Sequence, residues 1–348
     1  MVQDRFHRRI GQKSKKVGVR PGDPHATAYP DGDTTIRSDS GGRAVGSAVF
    51  PLTYSWRMQA SRYEAPQSVA EAVRLIAADP GARILAGGTD LLVQVRAGLR
   101  QPSAYIDIKR IPDLLDITID TRELRLGAAT PAAAICEDVL LSSLWPGLSE
   151  AIHLIGSTQI QGRGSVGGNL CNASPAADTT CALIVNQAIC VIAGPKGQRE
   201  VPVEGFCVAP GRTVLEKGEF LVALRVPRPA PRTRDAYLRL IPRSEMDIAV
   251  AGAGASVTLD SSGTCTAARI AIGAVAPTAL LVPEAARALI GSRLDERTLQ
   301  RAGEAASAAA KPIDDKRGTV AYRQAMAGVL TRRAVVIAAA RARNAREE

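Results

Sequence analysis

Glycines are concentrated in the stretch "QIQGRGSVGGNLCNASPAAD", residues 159–178. Gly162, Gly164 and Gly167 match the spacing G-x-G-x-x-G, which brings main-chain amides close to a phosphate in dinucleotide-binding turns. Such a turn needs a buried strand before it and a helix that opens within it. Here the preceding residues start helical and turn polar, and Pro175 prevents a long helix from starting at the glycines. We therefore predict a glycine loop of another kind.

A second glycine turn lies in "ILAGGTDLL", residues 84–92. Two glycines without Cβ atoms allow positive φ and let main-chain amides approach an anion closely. Thr89 adds a hydroxyl donor, and a helix start lies just behind it. Alone, this pattern is more typical of an ordinary strand–turn–helix connection. Together with "SVGGN" at 165–169, it predicts two small-residue loops that hold one diphosphate from both sides, with apolar side chains around a flat ring system.

Short-range patterns predict the elements that position these loops. Residues 68–79 form a helix with a capping box in which Ser68 and Glu71 satisfy amides of its first turn. Thr130 is expected to cap a helix that has Pro131 in its first turn. The other elements before the second loop are strands at 83–86, 104–108 and 123–128 and helices at 91–98 and 147–156.

The second half of the chain shows a different order of elements. A Pro/Arg-rich segment, 227–235, is the predicted domain boundary. Runs of strands followed by runs of helices indicate an α+β fold rather than alternating β-α-β units. The expected elements are a helix at 178–186, strands at 188–193, 199–203, 219–226, 235–241, 249–259 and 267–275, and helices at 283–290, 295–310 and 319–343.

Composition narrows the class of protein. The chain has 348 residues, enough for two domains, with 46% apolar but only 3% aromatic residues. No apolar run reaches the roughly 18 residues of a membrane helix, and the basic start lacks the apolar segment of a signal peptide, so we expect a cytoplasmic protein. The six cysteines lack zinc or iron–sulfur spacing and are expected to be buried apolar residues.

The net charge of +10 does not indicate a nucleic-acid-binding protein. Residues 1–57 carry ten Lys/Arg and five Asp, so half of the excess lies in this segment, and the remainder is spread out. The same segment is rich in Gly, Pro, Ser, Asp and Arg and cannot bury enough apolar surface to order itself. It is predicted to be disordered. Alternatively, it is upstream sequence included by a wrongly assigned start, and the protein begins near Met58.

Five motifs resemble one family in combination: the FAD-binding subunits or domains of the molybdenum hydroxylases, among them aerobic carbon monoxide dehydrogenase and xanthine dehydrogenase. The resemblance covers about residues 58–340. The motifs are "AGGTDLL", "SVGGNLCNASPAAD", "GRTVLEKGEFL", "RSEMDIAVAGAG" and "PIDDKRGTVAYR". The resemblance implies a PCMH-type FAD-binding fold at 58–229, made of two α+β subdomains (about 58–110 and 111–229). It also implies a C-terminal domain at 230–348 with an antiparallel sheet and helices.

The resemblance also implies which residues bind FAD. The first loop would hold the diphosphate through backbone amides, and the second would wrap its other side and the adenosine part. Asp178 matches a carboxylate that contacts the cofactor, although a helix N-cap is an equally good interpretation. The implied residues are Ile84, Leu85, Ala86, Gly87, Gly88, Thr89, Asp90, Leu91, Ile155, Ser165, Val166, Gly167, Gly168, Asn169, Asp178, Leu215 and Arg239.

For three of these residues the pattern alone supports a plainer interpretation. Ile155 and Leu215 match positions that line the flavin, yet both also fit as core residues. Arg239 falls where relatives carry a Lys near the flavin, and a surface arginine is the favoured alternative. The His or Cys that covalent flavin attachment requires is not evident, since His153 is the only histidine after the leader. Non-covalent FAD is therefore expected.

The function implied by the resemblance is electron transfer. A large partner subunit would carry molybdopterin, a small one two [2Fe–2S] clusters, and FAD in this chain would pass electrons to NAD or another acceptor. The protein would supply binding and electrostatics, so no residue is assigned as an acid–base catalyst. The alternatives are a stand-alone FAD-dependent oxidoreductase and a scaffold subunit that has lost FAD.

Overall fold

The computed structural model of the chain describes residues 61–244 and 246–345. Helices and strands are mixed within them, and the predicted α+β class is confirmed. The segment 1–57, for which disorder was predicted, lies outside the described residues. Among the described helices, none combines the length and the apolar character needed to cross a lipid bilayer. The cytoplasmic location stays a prediction.

The first sheet carries the first glycine turn. Its three short strands are parallel in the order β1–β3–β2, so the chain must cross over between neighbours. Ser68 caps the crossover helix by accepting a hydrogen bond from the Glu71 amide at 3.2 Å, while the Glu71 carboxylate reaches back to the Gln67 amide. The elements are β1 Arg62–Glu64, α1 Val69–Ala78, β2 Arg83–Leu85, α2 Leu91–Arg96 and β3 Ala104–Asp107.

The second sheet is antiparallel, with the strand order β4–β5–β10–β6–β7. Its strands are β4 Ile117–Ile119, β5 Glu123–Gly127, β6 Ile189–Gly194, β7 Gly197–Pro202 and β10 Phe220–Pro227, and β8 Cys207–Ala209 pairs with β9 Arg212–Thr213 in a separate ribbon. Between β5 and β6 lie α3 Ala132–Cys136, α4 Val139–Leu144, α5 Pro146–His153, α6 Thr158–Gln161, α7 Val166–Cys171 and α8 Asp178–Val185. The fully buried Trp145 and Phe206 anchor the core that these elements share.

The third sheet is also antiparallel, in the order β11–β12–β13–β14, and is covered by the C-terminal helices. Small residues allow close packing here, because a Cβ on Gly328 would lie only 2.7 Å from the Gly303 carbonyl oxygen of the neighbouring helix. The elements are β11 Thr233–Leu240, β12 Ala251–Leu259, β13 Cys265–Gly273, β14 Leu280–Leu281, α9 Pro283–Leu289, α10 Glu296–Ala309 and α11 Val320–Asn344.

Strand β11 packs closely against helix α5. A Cβ on Gly147 would lie 2.6 Å from the main chain of Ala236, so only glycine lets the helix approach the strand this closely. The buried Asp235 carboxylate accepts from the Gly147 amide at 2.9 Å. Arg341, near the end of α11, pairs with Glu150 of α5. The last helix therefore also holds α5 in place.

The expected cap at Thr130 was wrong. Helix α3 begins at Ala132 with Pro131 as its N-cap, and the buried Thr130 hydroxyl has no hydrogen-bond partner among the described residues. The reason is competition, since the Ala132 amide donates instead to the Gly164 carbonyl of the second glycine loop at 2.8 Å. Helices α4 and α6 and the strand β4 were not anticipated, and β11 already begins at Thr233 within the expected linker.

Candidate functional site

The first glycine loop leaves the end of β2 and enters α2. Gly88 has φ +78°, a conformation that favours glycine. Among the described residues, the main-chain amides of Gly87, Gly88, Thr89 and Asp90 donate no hydrogen bond. The loop is partly exposed, so water or a ligand can reach these donors. Consecutive unpaired amides in such a turn form a concave site for an anion.

Lys109, which the sequence analysis did not single out, holds the first loop. Its ammonium donates to the Ala86 carbonyl oxygen at 2.7 Å and to Asp107 Oδ1 at 2.7 Å. Asp107 is itself buried at the end of β3 and accepts from the Tyr63 hydroxyl. An aspartate at the end of a buried strand, followed two residues later by lysine, was the available signal.

The second glycine loop is packed into the protein. Ser165 caps α7, and its Oγ accepts from the Gly168 amide at 3.0 Å. Ser165 also pairs with Pro131 in an isolated β-bridge. A Cβ on Gly167 would lie 2.4 Å from the Ala128 carbonyl oxygen, so this glycine serves close packing. No strand leads into the loop, because α6 precedes it, and the rejection of a Rossmann turn agrees with this order.

The two loops touch. A Cβ on Gly87 would lie 2.0 Å from the Arg163 carbonyl oxygen and 3.0 Å from the Gly164 Cα. A hydrogen bond of 2.9 Å from Gln94 in α2 to Asn172, just after α7, fastens the helices behind the loops. The two loops lie far apart in sequence, and their main chains thus approach each other closely at Gly87.

Asp178 connects the second loop to the third sheet. The neighbouring Thr179 hydroxyl donates to Asn169 Oδ1 at 2.7 Å, and the Asp178 carboxylate accepts from the Tyr237 hydroxyl at 3.0 Å and from Arg239 Nη1 at 2.7 Å. Ala177, not Asp178, is the N-cap residue of α8, so the capping interpretation was wrong. Tyr237 was missed, and its place in a chain with few aromatic residues was the only signal for it.

Arg239 is not a surface residue. Its side chain is 8% exposed, against 10% for Asp178, so the favoured surface interpretation was wrong. Burial raises the pKa of Asp178 to about 6, although the charge of Arg239 and the hydrogen bonds from Tyr237 and Arg239 act to lower it. The carboxylate pairs with Arg239, and its burial opposes its ionisation.

Ile155 and Leu215 lie in the core that surrounds the second loop. Ile155 is buried, and Arg239 Nη1 donates at 3.2 Å to the carbonyl oxygen of the preceding residue, Leu154. Leu215 is partly buried and packs against the same core. The described hydrogen bonds do not join Leu215 to either glycine loop. Contact of these two side chains with a flavin stays a prediction.

These features fit the cofactor that the resemblance implies. Four amides without an acceptor among the described residues, at a loop with a positive-φ glycine, suit the two negative charges of the FAD diphosphate. The apolar residues beside the second loop, such as Ile155, suit a flat ring.

The family matches identify a flavoprotein component of an oxidoreductase. Residues 57–229 match the family described as the FAD binding domain in molybdopterin dehydrogenase, and residues 236–338 match the CO dehydrogenase flavoprotein C-terminal domain. The chain belongs to this family, which confirms the resemblance noted in the sequence. In this family molybdopterin is carried by other subunits.

Similar proteins with established names support this family assignment. The carbon monoxide dehydrogenase medium chain of Hydrogenophaga pseudoflava is 38% identical over 280 residues, which cover 80% of this chain and 97% of the relative. The xanthine dehydrogenase FAD-binding subunit of Escherichia coli O157:H7 is 31% identical over 282 residues, covering 80% and 96%. The chain is thus similar to the medium chain of one dehydrogenase and to the FAD-binding subunit of another.

Solved structures show the same fold. The carbon monoxide dehydrogenase from Hydrogenophaga pseudoflava that lacks the Mo-pyranopterin moiety matches with a TM-score of 0.78 and 38% identity, covering 81% of this chain and 98% of that chain. Quinoline 2-oxidoreductase from Pseudomonas putida 86 matches with a TM-score of 0.76 and 31% identity, covering 82% and 98%. The predictions of an oxidoreductase subunit and of FAD as its cofactor are confirmed.

Proposed function

We propose that this chain is the electron-transfer subunit of a molybdenum-containing hydroxylase or dehydrogenase. It receives electrons from [2Fe–2S] clusters in a small partner subunit and delivers them to NAD or another acceptor, while a large partner subunit carries molybdopterin. The observation that supports this most is the contact between two glycine loops, in a chain similar along most of its length to medium subunits of such complexes.

In this role the chain's own residues bind and orient the cofactor. The amides of Gly87 to Asp90 donate to the diphosphate, and the loop from Ser165 to Asn169 closes its other side. Asp178 and Arg239 set the charge behind the second loop. Bound FAD supplies the redox chemistry, and no side chain is assigned as an acid or base.

We infer that FAD is held without a covalent bond. His153, the only histidine after residue 57, is exposed, and its Nδ1 lies 3.0 Å from the Ser149 carbonyl oxygen within its own helix. Acid precipitation tests this directly. We expect the yellow colour in the supernatant; colour that stays with the precipitate would show a covalent bond.

The proposed domain arrangement is an FAD-binding part at 58–229, with subdomains at about 58–110 and 111–229, and a C-terminal part at 230–348. The first, second and third sheets fall within these three ranges, which supports the division. Mild proteolysis of the purified protein, with mass spectrometry of the fragments, checks whether cleavage is concentrated between β10 and β11.

Purification of the tagged chain from its native cells tests the proposed function. We expect molybdenum, iron and FAD in one complex, and bleaching of the flavin absorbance when the substrate of the large subunit is added. Flavin without molybdenum and iron, together with substrate oxidation by the chain alone, would favour a stand-alone oxidoreductase. A chain that binds no flavin would favour a scaffold subunit.

A further inference from the structure

Lys109 contacts the first glycine loop at the Ala86 carbonyl oxygen. Its ammonium lies 2.7 Å from the Ala86 carbonyl oxygen, the last carbonyl before the unpaired amides begin. The side chain is only 22% exposed, so the amine is held in place rather than free in solvent. Its contact spans 23 residues of sequence and joins the end of β3 to the end of β2.

Two side chains, Asp107 and Tyr63, keep this amine in position. Asp107 Oδ1 accepts from the Lys109 ammonium at 2.7 Å and from the Lys109 amide at 3.0 Å. The other carboxylate oxygen accepts from the Tyr63 hydroxyl. Burial opposes ionisation of Asp107, but the hydrogen bonds from Lys109 and Tyr63 outweigh it and hold its pKa below the ordinary value. Asp107 is thus a charged anchor for the lysine.

The geometry of the peptide group turns this contact into a constraint on the next amide. The Ala86 carbonyl and the Gly87 N–H belong to one planar trans peptide unit, so they point in opposite directions. When Lys109 holds the carbonyl, the Gly87 N–H must point to the other side of the loop. Gly87 is the first of the four consecutive amides that have no acceptor among the described residues.

We propose that Lys109 is a positioning residue for the cofactor diphosphate. It fixes the Ala86–Gly87 peptide so that the Gly87 amide faces the phosphate oxygens before FAD arrives, and Asp107 and Tyr63 hold it there. This inference rests on the proposed function, since it assigns the first loop to the diphosphate of FAD.

The test compares Lys109→Met with Lys196→Met in the full-length chain. Lys196 is 92% exposed and, among the residues that the structure describes, pairs with Glu216 alone, so it controls for the loss of one positive charge. We expect the dissociation constant for FAD to rise about tenfold in Lys109→Met and to stay unchanged in Lys196→Met. The ³¹P resonances of bound FAD should shift in Lys109→Met, because the phosphate environment changes. Lys109→Arg should restore most of the affinity.

Each outcome decides the proposal. Unchanged affinity and unchanged ³¹P resonances in Lys109→Met would overturn it. Weaker FAD binding with a lower melting temperature and unchanged ³¹P resonances would show a merely structural role, which also overturns it. If Lys109→Met does not fold, Asp107→Asn keeps the lysine but frees its amine, and the same shift is expected. A wild-type chain that binds no FAD would instead refute the proposed function.

Discussion

The two glycine loops differ in what their glycines are for. In the first loop the glycines are partly exposed, Gly88 has φ +78°, and the amides are left unpaired by the described residues. In the second loop Ser165 to Gly167 are buried, and Gly167 packs against Ala128. In the first loop the missing Cβ of Gly88 permits the backbone conformation that presents donors, and that of Gly87 lets the second loop approach. In the second loop the missing Cβ of Gly167 permits close packing in the core. Substitutions in the first loop are therefore expected mainly to weaken cofactor binding, and substitutions in the second loop mainly to lower stability.

Gly87→Ala should have the largest effect on the first loop. The new Cβ would lie 2.0 Å from the Arg163 carbonyl oxygen, a main-chain atom that cannot rotate away, so the loops must separate. With two charge-assisted hydrogen bonds lost, we expect the dissociation constant for FAD to rise about 100-fold. Flavin fluorescence titration measures this. Gly162→Ala is the matched control, with φ −64° and its closest neighbour at 3.8 Å, and an equal loss there would contradict the argument.

Asp178→Asn should change the pH dependence of stability around the second loop. Its folded pKa of about 6 lies above the ordinary value of 3.8, so between these pH values the native state keeps a proton that the unfolded state has lost. Its contribution to the free energy of unfolding therefore falls as pH rises from about 3 to about 7, by about 3 kcal/mol in total. Urea titrations should show this decrease in the difference between wild type and variant.

Asp260→Asn serves as the control for that measurement. Hydrogen bonds from the Ser262 side chain and the Thr264 amide lower the pKa of this partly exposed carboxyl. Its contribution is present above the ordinary pKa and is lost as pH falls, which is the opposite sign. Parallel pH profiles for the two variants would show that the pKa of Asp178 is lowered in the folded state, as that of Asp260 is, and would contradict the prediction.

Gly167→Ala should lower the stability of the chain more than it lowers its affinity for FAD. Its Cβ would lie 2.4 Å from the Ala128 carbonyl oxygen in the core. Overpacking of this kind costs about 2 kcal/mol. Thermal unfolding of the FAD-free chain measures the cost. A normal melting temperature combined with weak FAD binding would mean that the second loop presents donors as the first one does.

Ser165→Ala and Thr89→Ala give the smallest and most direct contrast. Ser165 Oγ caps α7 by accepting from the Gly168 amide at 3.0 Å, so its loss should cost about 1 kcal/mol of stability. Thr89 sits in the open loop, and its replacement should leave the melting temperature unchanged and weaken FAD binding a few-fold. The same pair of measurements on both variants checks this, and a reversed pattern would exchange the roles of the loops.

Local signals in the sequence predicted much of the fold. The capping box at Ser68, the helices α10 and α11 and the long strands β12 and β13 were expected close to their observed bounds, because periodicity and caps act within a few residues. The cap at Thr130 failed because the amide it needed is taken by Gly164, a residue far along the chain.

Less of the site could be predicted from the sequence, because several of its contacts join residues that are far apart along the chain. Both loops and Asp178 belong to recognisable motifs. Lys109 and Tyr237 acquire their roles only through contacts 23 and 59 residues away, which no short window contains. Arg239 was expected at the surface because an arginine in a strand is usually solvated, but its buried partner Asp178 compensates the cost.

The contact between Gly147 and Ala236 limits how this protein can recombine with its relatives. The two family segments meet there with no room for a Cβ, and Arg341 near the last helix turn reaches back to Glu150 in the first segment. A chimaera that takes residues 57–229 from one relative and the remainder from another must match at this seam. Gene exchange within the family is therefore expected to transfer both segments as one inherited unit.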